Sequence, residues 1–426
     1  MRALTRVVAP MTVPLVTVAL LVGATPATAA ERPPRPLPSA DPLVFGHRGA
    51  SGYRPEHTLA SYRLAIQMGA DFVEPDLVPT KDGVLVARHE NEISTTTDIA
   101  SRPEFAVLRT TKVVDGVSLT GWFTEDLTLA ELKTLRAIER IPQVRPENTL
   151  YNGRYEVPTL DEVLAMVGEE SRRQGRRIGV APEIKHPTYF DSIGLSMEEP
   201  LVRSLDRAGL RSPRSAVVVQ SFETANLREL DGMTRVPLVQ LVGGSGAPYD
   251  WVAAGRTDTY DTLLSDAGLA DVATYADWIG PDKNRVVPRT PEGTLAAPTD
   301  LVQRAHAADL KVVPYTFRNE NTFLPVELRV GDDPTAYGDA FAEYALFFSL
   351  GVDGVFSDNP DTAVEARDEF IAQDRGAGPR DDRERRGTTG APTSTPGRDG
   401  ETVAVAAAHP VARSGPVWLR PFAELG

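Results

Sequence analysis

The sequence predicts an α/β chain folded as a (β/α)8 TIM barrel, with an insertion over the mouth and a disordered C-terminal tail. Three observations predict the barrel. Eight short apolar, β-prone runs recur at 43–45, 72–78, 178–184, 216–222, 236–242, 278–279, 311–316 and 354–356. Helical patterns fill the gaps between them, as expected of strands paired in parallel through helical crossovers. No glycine-rich loop follows the first run, which argues against a doubly wound dinucleotide-binding sheet.

Ahead of the barrel, residues 1–30 read as a signal peptide. Basic Arg2 and Arg6 precede an apolar run over 13–22, and Ala24-Thr25-Pro26-Ala27-Thr28-Ala29-Ala30 follows it. The run falls short of the roughly 20 residues a membrane span needs. Residues 31–40 are a Pro-rich linker. The expectation is an exported protein, extracellular or in the periplasm or cell envelope, without stable membrane insertion once the signal is removed. With no cysteine, neither a disulfide nor a lipid-bearing thiol is available, and stability must come from the core.

Residues 41–370 form the predicted catalytic barrel, long for a domain but suited to one barrel with insertions. The first strand runs into Gly46-His47-Arg48-Gly49-Ala50. A helix follows over 58–68, capped by Thr58, with Leu59, Tyr62, Ala65 and Ile66 on one face and Gly69 at its end. His57, just before it, is read as shaping the helix start rather than doing chemistry. The second strand carries Glu74 and Asp76 two residues apart, and so on one face. Thr80-Lys81-Asp82-Gly83 is a turn that folds 84–89 back beside it. If Pro79 faces Val84, His89 stands level with Glu74.

Residues 91–156 lose regular periodicity apart from a short helix over 127–138 opened by Thr128, and read as an insertion over the barrel mouth. A helix over 159–167 leads to the third strand, which ends in Pro182-Glu183-Ile184-Lys185. Phe222, Trp278, Tyr315 and Phe317 lie at later strand ends, as pocket lining or as core. Residues 319–339 read as a smaller lid, and Asp358 as a structural cap after the last strand. His186, His306 and His409 have no evident partner. The tail, 371–426, is too polar to bury an ordered core.

The chemistry concentrates between Gly46 and Glu90. Two imidazoles, one guanidinium and a pair of carboxylates are the parts needed to cleave a phosphate diester with a divalent metal. Such a diester repels nucleophiles and has a poor leaving group. Charge must be offset and two protons moved; a metal and Arg48 suit the first task, His47 and His89 the second. Glu74 and Asp76 interrupt apolar sequence where a barrel strand should be buried, which a metal explains better than solvated charge. With Glu183 they make an oxygen-rich cage suited to Ca2+ or Mg2+. The formal net charge of −14 makes nucleic acid and anionic lipid surfaces poor partners.

At these residues the chain resembles the glycerophosphodiester phosphodiesterase family, most closely its longer exported bacterial type. The resemblance rests on GHRGASGYRPEHTLASYRLAIQMGADFVEPDLVPTKDGVLVARHE, then PEIKHP, QSF, PYTFR and GVDGVFSDNP. It implies that His47 and His89 are general acid and base, that Glu74, Asp76 and Glu183 hold one divalent cation, and that Arg48 and Lys185 contact the phosphate. The implied substrate is a small glycerophosphodiester, cleaved to glycerol 3-phosphate and an alcohol, with a substrate glycerol hydroxyl as one possible first nucleophile. One position departs: Glu90 follows His89 where the family commonly has Asp. Two other readings share the pattern, a phospholipase D-like or sphingomyelinase-like phosphodiesterase on the same barrel and a non-catalytic exported binding protein. Turnover on intact lipid would mark the first, and absence of turnover the second.

Overall fold

Eight parallel strands close into a ring in the computed structural model, which describes residues 41–376. Each expected run carries one: Leu43–Gly46; Phe72–Val73 with Asp76–Pro79; Gly179–Val180 with Glu183–Ile184; Val219–Ser221; Leu238–Val242; Trp278–Pro281; Lys311–Val312; and Gly354–Ser357. Each pairs in parallel with its chain neighbour, and the last pairs with the first in the register Leu43↔Gly354. The seventh strand closes on the eighth through Phe317↔Ser357 and a 3.1 Å bond from the Phe356 N–H to the Pro314 carbonyl.

The second and third strands each come in two pieces, interrupted at Glu74-Pro75 and Ala181-Pro182. Proline has no N–H to donate to a ladder, so it locates both breaks. The Pro75 carbonyl still accepts the Glu183 N–H at 3.1 Å, which carries the pairing across and keeps the acidic residues on the rim.

Inside the ring, Leu43, Phe45, Phe72, Val239, Leu241, Trp278, Val313 and Phe356 form a plug of buried side chains. Phe45 stacks on Phe72 at 4.6 Å and meets Phe356 at 4.7 Å. A Cβ on Gly179 would lie 2.2 Å from the Phe72 ring, so the third strand admits that ring only because this residue is glycine. The larger core lies between strands and helices, each fully buried aliphatic or aromatic side chain contributing about 1.5–3 kcal/mol.

Local chemistry starts the helices. Thr58 accepts the Ser61 N–H to cap Leu59–Gln67. Thr159 and Glu162 form a reciprocal capping box for Leu160–Gln174, which runs past the expected 167 to end at Gly175 with φ 63°. The expected helix over 127–138 shortens to Leu129–Leu132, with its own Thr128–Glu131 box. The chain then leaves helix because Ala137 bridges Thr97 and donates its N–H to Tyr155.

The fold-back strand, Leu85–Ala87, pairs antiparallel to Asp76–Pro79 with Pro79 opposite Leu85, not Val84. Gly83 takes φ 73° and the Thr80 N–H bonds the Val84 carbonyl at 3.0 Å, a three-residue loop with a left-handed third residue. The extra residue slips the expected register by one, so the Asp76 carbonyl accepts from the Arg88 N–H at 2.8 Å. His89 lies just past the strand rather than across from Glu74.

Residues 91–156 hold only short elements, chiefly a hairpin of Thr110–Val114 and Val117–Gly121. The final helix, Pro360–Gly376, runs across the expected start of the tail at 371. The signal peptide at 1–30, the linker at 31–40 and the tail beyond 376 lie outside the described residues. Among the described residues, no helix is long and apolar enough to cross a membrane.

Candidate active site

The first strand delivers His47 and Arg48 to the barrel rim. After Gly46 the chain reverses through Arg48 at φ 58° and Gly49 at φ 92°. A Cβ on Gly49 would lie 2.4 Å from Ser61 Oγ, so the backbone passes the first helix only with glycine there. His47 is buried, and its Nδ1 lies 2.5 Å from Asp358 Oδ1. The other Asp358 oxygen accepts from Arg145 Nη2 at 2.6 Å and Arg318 Nε at 2.8 Å.

Burial alone would raise the Asp358 pKa, but Arg318 and Arg145 outweigh it and hold the carboxyl far below its usual range. An ionised Asp358 accepts the Nδ1–H of a neutral imidazole, leaving the His47 Nε2 lone pair for chemistry. Burial, helped by Arg48 and opposed by Asp358, lowers His47 to about 4.

The second and third strands bring the acids together. Glu74, Asp76 and Glu183 each offer an oxygen, and these lie within 4.8 Å of one another. Glu74 accepts from the Arg48 N–H at 3.1 Å and from Gln220 Nε2 at 2.8 Å. Asp76 Oδ2 meets His57 Nε2 at 3.0 Å, whereas its buried Oδ1 has no hydrogen-bond partner. Burial and the neighbouring carboxylates push Glu74 and Glu183 up, although Lys185 opposes this at Glu183. At Asp76, Lys185 and His57 outweigh burial and hold the pKa down. Three crowded carboxylates and an orphaned buried oxygen fit a hard dication.

The cations stand beside this trio. Arg48 Nη1 lies 3.1 Å from both Glu56 oxygens, which fixes the guanidinium, and Lys185 Nζ lies 2.7 Å from Glu183 and 3.9 Å from Asp76. His89 is held differently. Its Nδ1 is 2.8 Å from Glu90 Oε1, Glu90 Oε2 is 3.1 Å from His186 Nε2, and His186 Nδ1 is 2.6 Å from Asp115 Oδ2 in the turn of the insertion's hairpin. Burial and the Arg48 and Lys185 charges move His89 down, while Asp115 and Glu90 overcome burial to bring His186 up to about 9.

All seven expected site residues, His47, Arg48, Glu74, Asp76, His89, Glu183 and Lys185, line one cavity of about 360 Å3. Phe222 and Tyr315 line it too; Phe317 and Trp278 are fully buried in the core. The structure corrects three lesser readings. Asp358 holds His47 rather than only capping a loop, His57 braces Asp76 as well as preceding its helix, and His186 has two partners. His306 also has a partner, Asp353, at 2.9 Å, away from the cavity; His409 lies outside the described residues. Sequence reasoning missed Gln220, Arg145 and Arg318. Gln220 stands in the QSF run at a strand end, a signal that was present; Arg145 lies in an aperiodic insertion and had none.

Residues 47–362 match the family described as "Glycerophosphoryl diester phosphodiesterase family". The chain is 35% identical over 346 residues to a glycerophosphodiester phosphodiesterase of Arabidopsis thaliana, covering 78% of this chain and 88% of that one. It is 29% identical over 353 residues to a glycerophosphodiester phosphodiesterase of Haemophilus influenzae, covering 76% and 90%. Its fold is similar to the crystal structure of a glycerophosphoryl diester phosphodiesterase from Silicibacter pomeroyi, with a TM-score of 0.55 at 21% identity over 79% of this chain and 96% of that one.

Proposed function

The chain belongs to the glycerophosphoryl diester phosphodiesterase family, and from that premise we propose a hydrolase that converts glycerophosphodiesters to glycerol 3-phosphate and an alcohol, with His47 and His89 as its proton-transfer pair. The observation that carries this reading is the cavity on which His47, His89, Arg48, Lys185 and the carboxylates of Glu74, Asp76 and Glu183 converge.

Arg48 and Lys185 face the phosphate and offset its charge, each pre-positioned by a carboxylate rather than waiting for substrate. One imidazole takes a proton from the attacking hydroxyl and the other returns one to the departing alkoxide. Asp358 sets the tautomer of His47, and Glu90 orients His89. Glu74, Asp76 and Glu183 would hold one divalent cation, Ca2+ or Mg2+, which when bound supplies Lewis-acid charge at the phosphate. The order of basic, apolar and small residues over 1–30 supports export.

The test is release of glycerol 3-phosphate from a panel of deacylated phospholipids by metal-depleted enzyme reconstituted ion by ion. Activity should vanish on chelation and return with Ca2+ or Mg2+. Full turnover by chelated enzyme would overturn the cation's role, and no turnover with any ion would overturn the hydrolase reading.

A further inference from the structure

A second cavity, of about 500 Å3, adjoins the first and shares His89, Glu183, Lys185 and Phe222 with it. A diester has two arms, and with the phosphate beside Arg48 and Lys185 the second cavity offers room for one of them beyond these shared residues. The character of the second cavity therefore bears on which alcohol the enzyme accepts.

Acidic side chains, Glu90, Asp115, Glu183 and Glu223, outnumber the cations on its walls, Lys185 and His186, and aromatic rings stand among them. Glu90 and Asp115 lie on either side of His186, so two carboxylates share one imidazolium and one negative charge is left over. Asp115 Oδ1 is buried with no hydrogen-bond partner. Glu223, only 3% exposed, accepts from the Thr188 N–H and hydroxyl and forms no salt bridge among the described residues. Tyr249, Tyr260 and Phe222 supply rings on the same walls. A buried carboxylate without a cation, close to aromatic faces, is an environment that a compact cation stabilises. In agreement, burial first and then Asp115 and Asp250 raise Glu223 to about 7, the behaviour of an acid lacking a counter-charge.

We propose that this second cavity is the subsite for the alcohol arm and that it selects alcohols bearing an ammonium group. The inference rests on the hydrolase reading above and deepens it. The ammonium would sit against Glu223 and the Tyr260 ring, with the Glu90–His186–Asp115 group adding a net negative field. An uncharged alcohol such as glycerol would leave Glu223 without that partner.

Two measurements test it. On the wild-type enzyme, kcat/KM for glycerophosphocholine should exceed that for glycerophosphoglycerol about tenfold, and Glu223→Gln, which keeps the side chain's shape, should bring the ratio close to one. As product inhibitors of the wild type, choline should compete at least tenfold better than 3,3-dimethylbutan-1-ol, its uncharged isostere. This second arm does not depend on the variant folding. Equal turnover of the two diesters, or equal inhibition by choline and its isostere, would overturn the subsite while leaving the hydrolase reading intact. Failure to cleave either diester would instead strike at the hydrolase reading.

Discussion

The two imidazoles of the cavity are held in opposite ways. His47 is anchored inside the barrel, where Asp358 grips its Nδ1 and is itself clamped by Arg145 and Arg318. His89, with 30% of its side chain exposed, hangs from Glu90, then His186, then Asp115 in the turn of a surface hairpin. One ring is fixed by the core, where a buried carboxylate loses much if its partner is removed. The other is fixed by a chain of contacts that solvent can enter and a loop can carry away. Similar chemistry in one cavity can thus rest on supports of unequal stiffness.

The largest effect should come from removing either ring. His47→Ala and His89→Ala should each lower kcat by about 10²–10⁴ with the fold retained, measured as glycerol 3-phosphate release alongside circular dichroism. Full turnover by either variant would dissolve the comparison, because only one ring would then matter.

Asp358→Asn should come next. It leaves Arg318 without a carboxylate and Arg145 with Glu320 alone, and breaking a buried pair by removing one partner costs about 3–5 kcal/mol. Loss of the tautomer-setting acceptor should also lower kcat by about 10–100-fold, as for other residues that orient a functional imidazole. Denaturant unfolding and kinetics check the two parts separately. An unchanged midpoint would show that the clamp is not the rigid support described.

Smaller and pH-dependent effects should mark the other ring. His186 has its folded pKa raised from 6.5 to about 9, so its contribution to stability is fully present below the ordinary imidazole pKa and fades as pH rises through about 9. The melting-temperature gap between wild type and His186→Gln should therefore be widest in acid and close toward alkaline pH. A gap that widened with pH would contradict the ion-paired arrangement.

Asp115→Asn should be mildest, changing kcat by less than about tenfold, since it touches His89 only through two intermediates. Were it to rival Asp358→Asn, the hairpin would be as firm a support as the core.

Much of this was legible along the chain. Alternating apolar runs mark all eight strands, Thr58 and Gly69 bracket the first helix and Thr159 opens a later one, because caps and periodicity act over a few residues. The GHRGA, Glu74-Pro75-Asp76 and Pro182-Glu183-Ile184-Lys185 segments place chemistry at strand ends, and the closed ring then gathers it. The hairpin register was misread by one residue, because a left-handed Gly83 and a tight two-residue turn are hard to tell apart from the residues alone.

What the sequence by itself determined is the barrel and seven of the side chains at its rim, since strand propensity, turn residues and capping are local free energies written into neighbouring residues. Only the tertiary structure decided how the two imidazoles are held. Asp358 stands 311 residues from His47, Arg145 reaches it from an aperiodic insertion, and Asp115 meets His186 across 71 residues. Such pairings form only when ring closure brings distant segments together, and no short-range preference encodes which carboxylate will then face which ring.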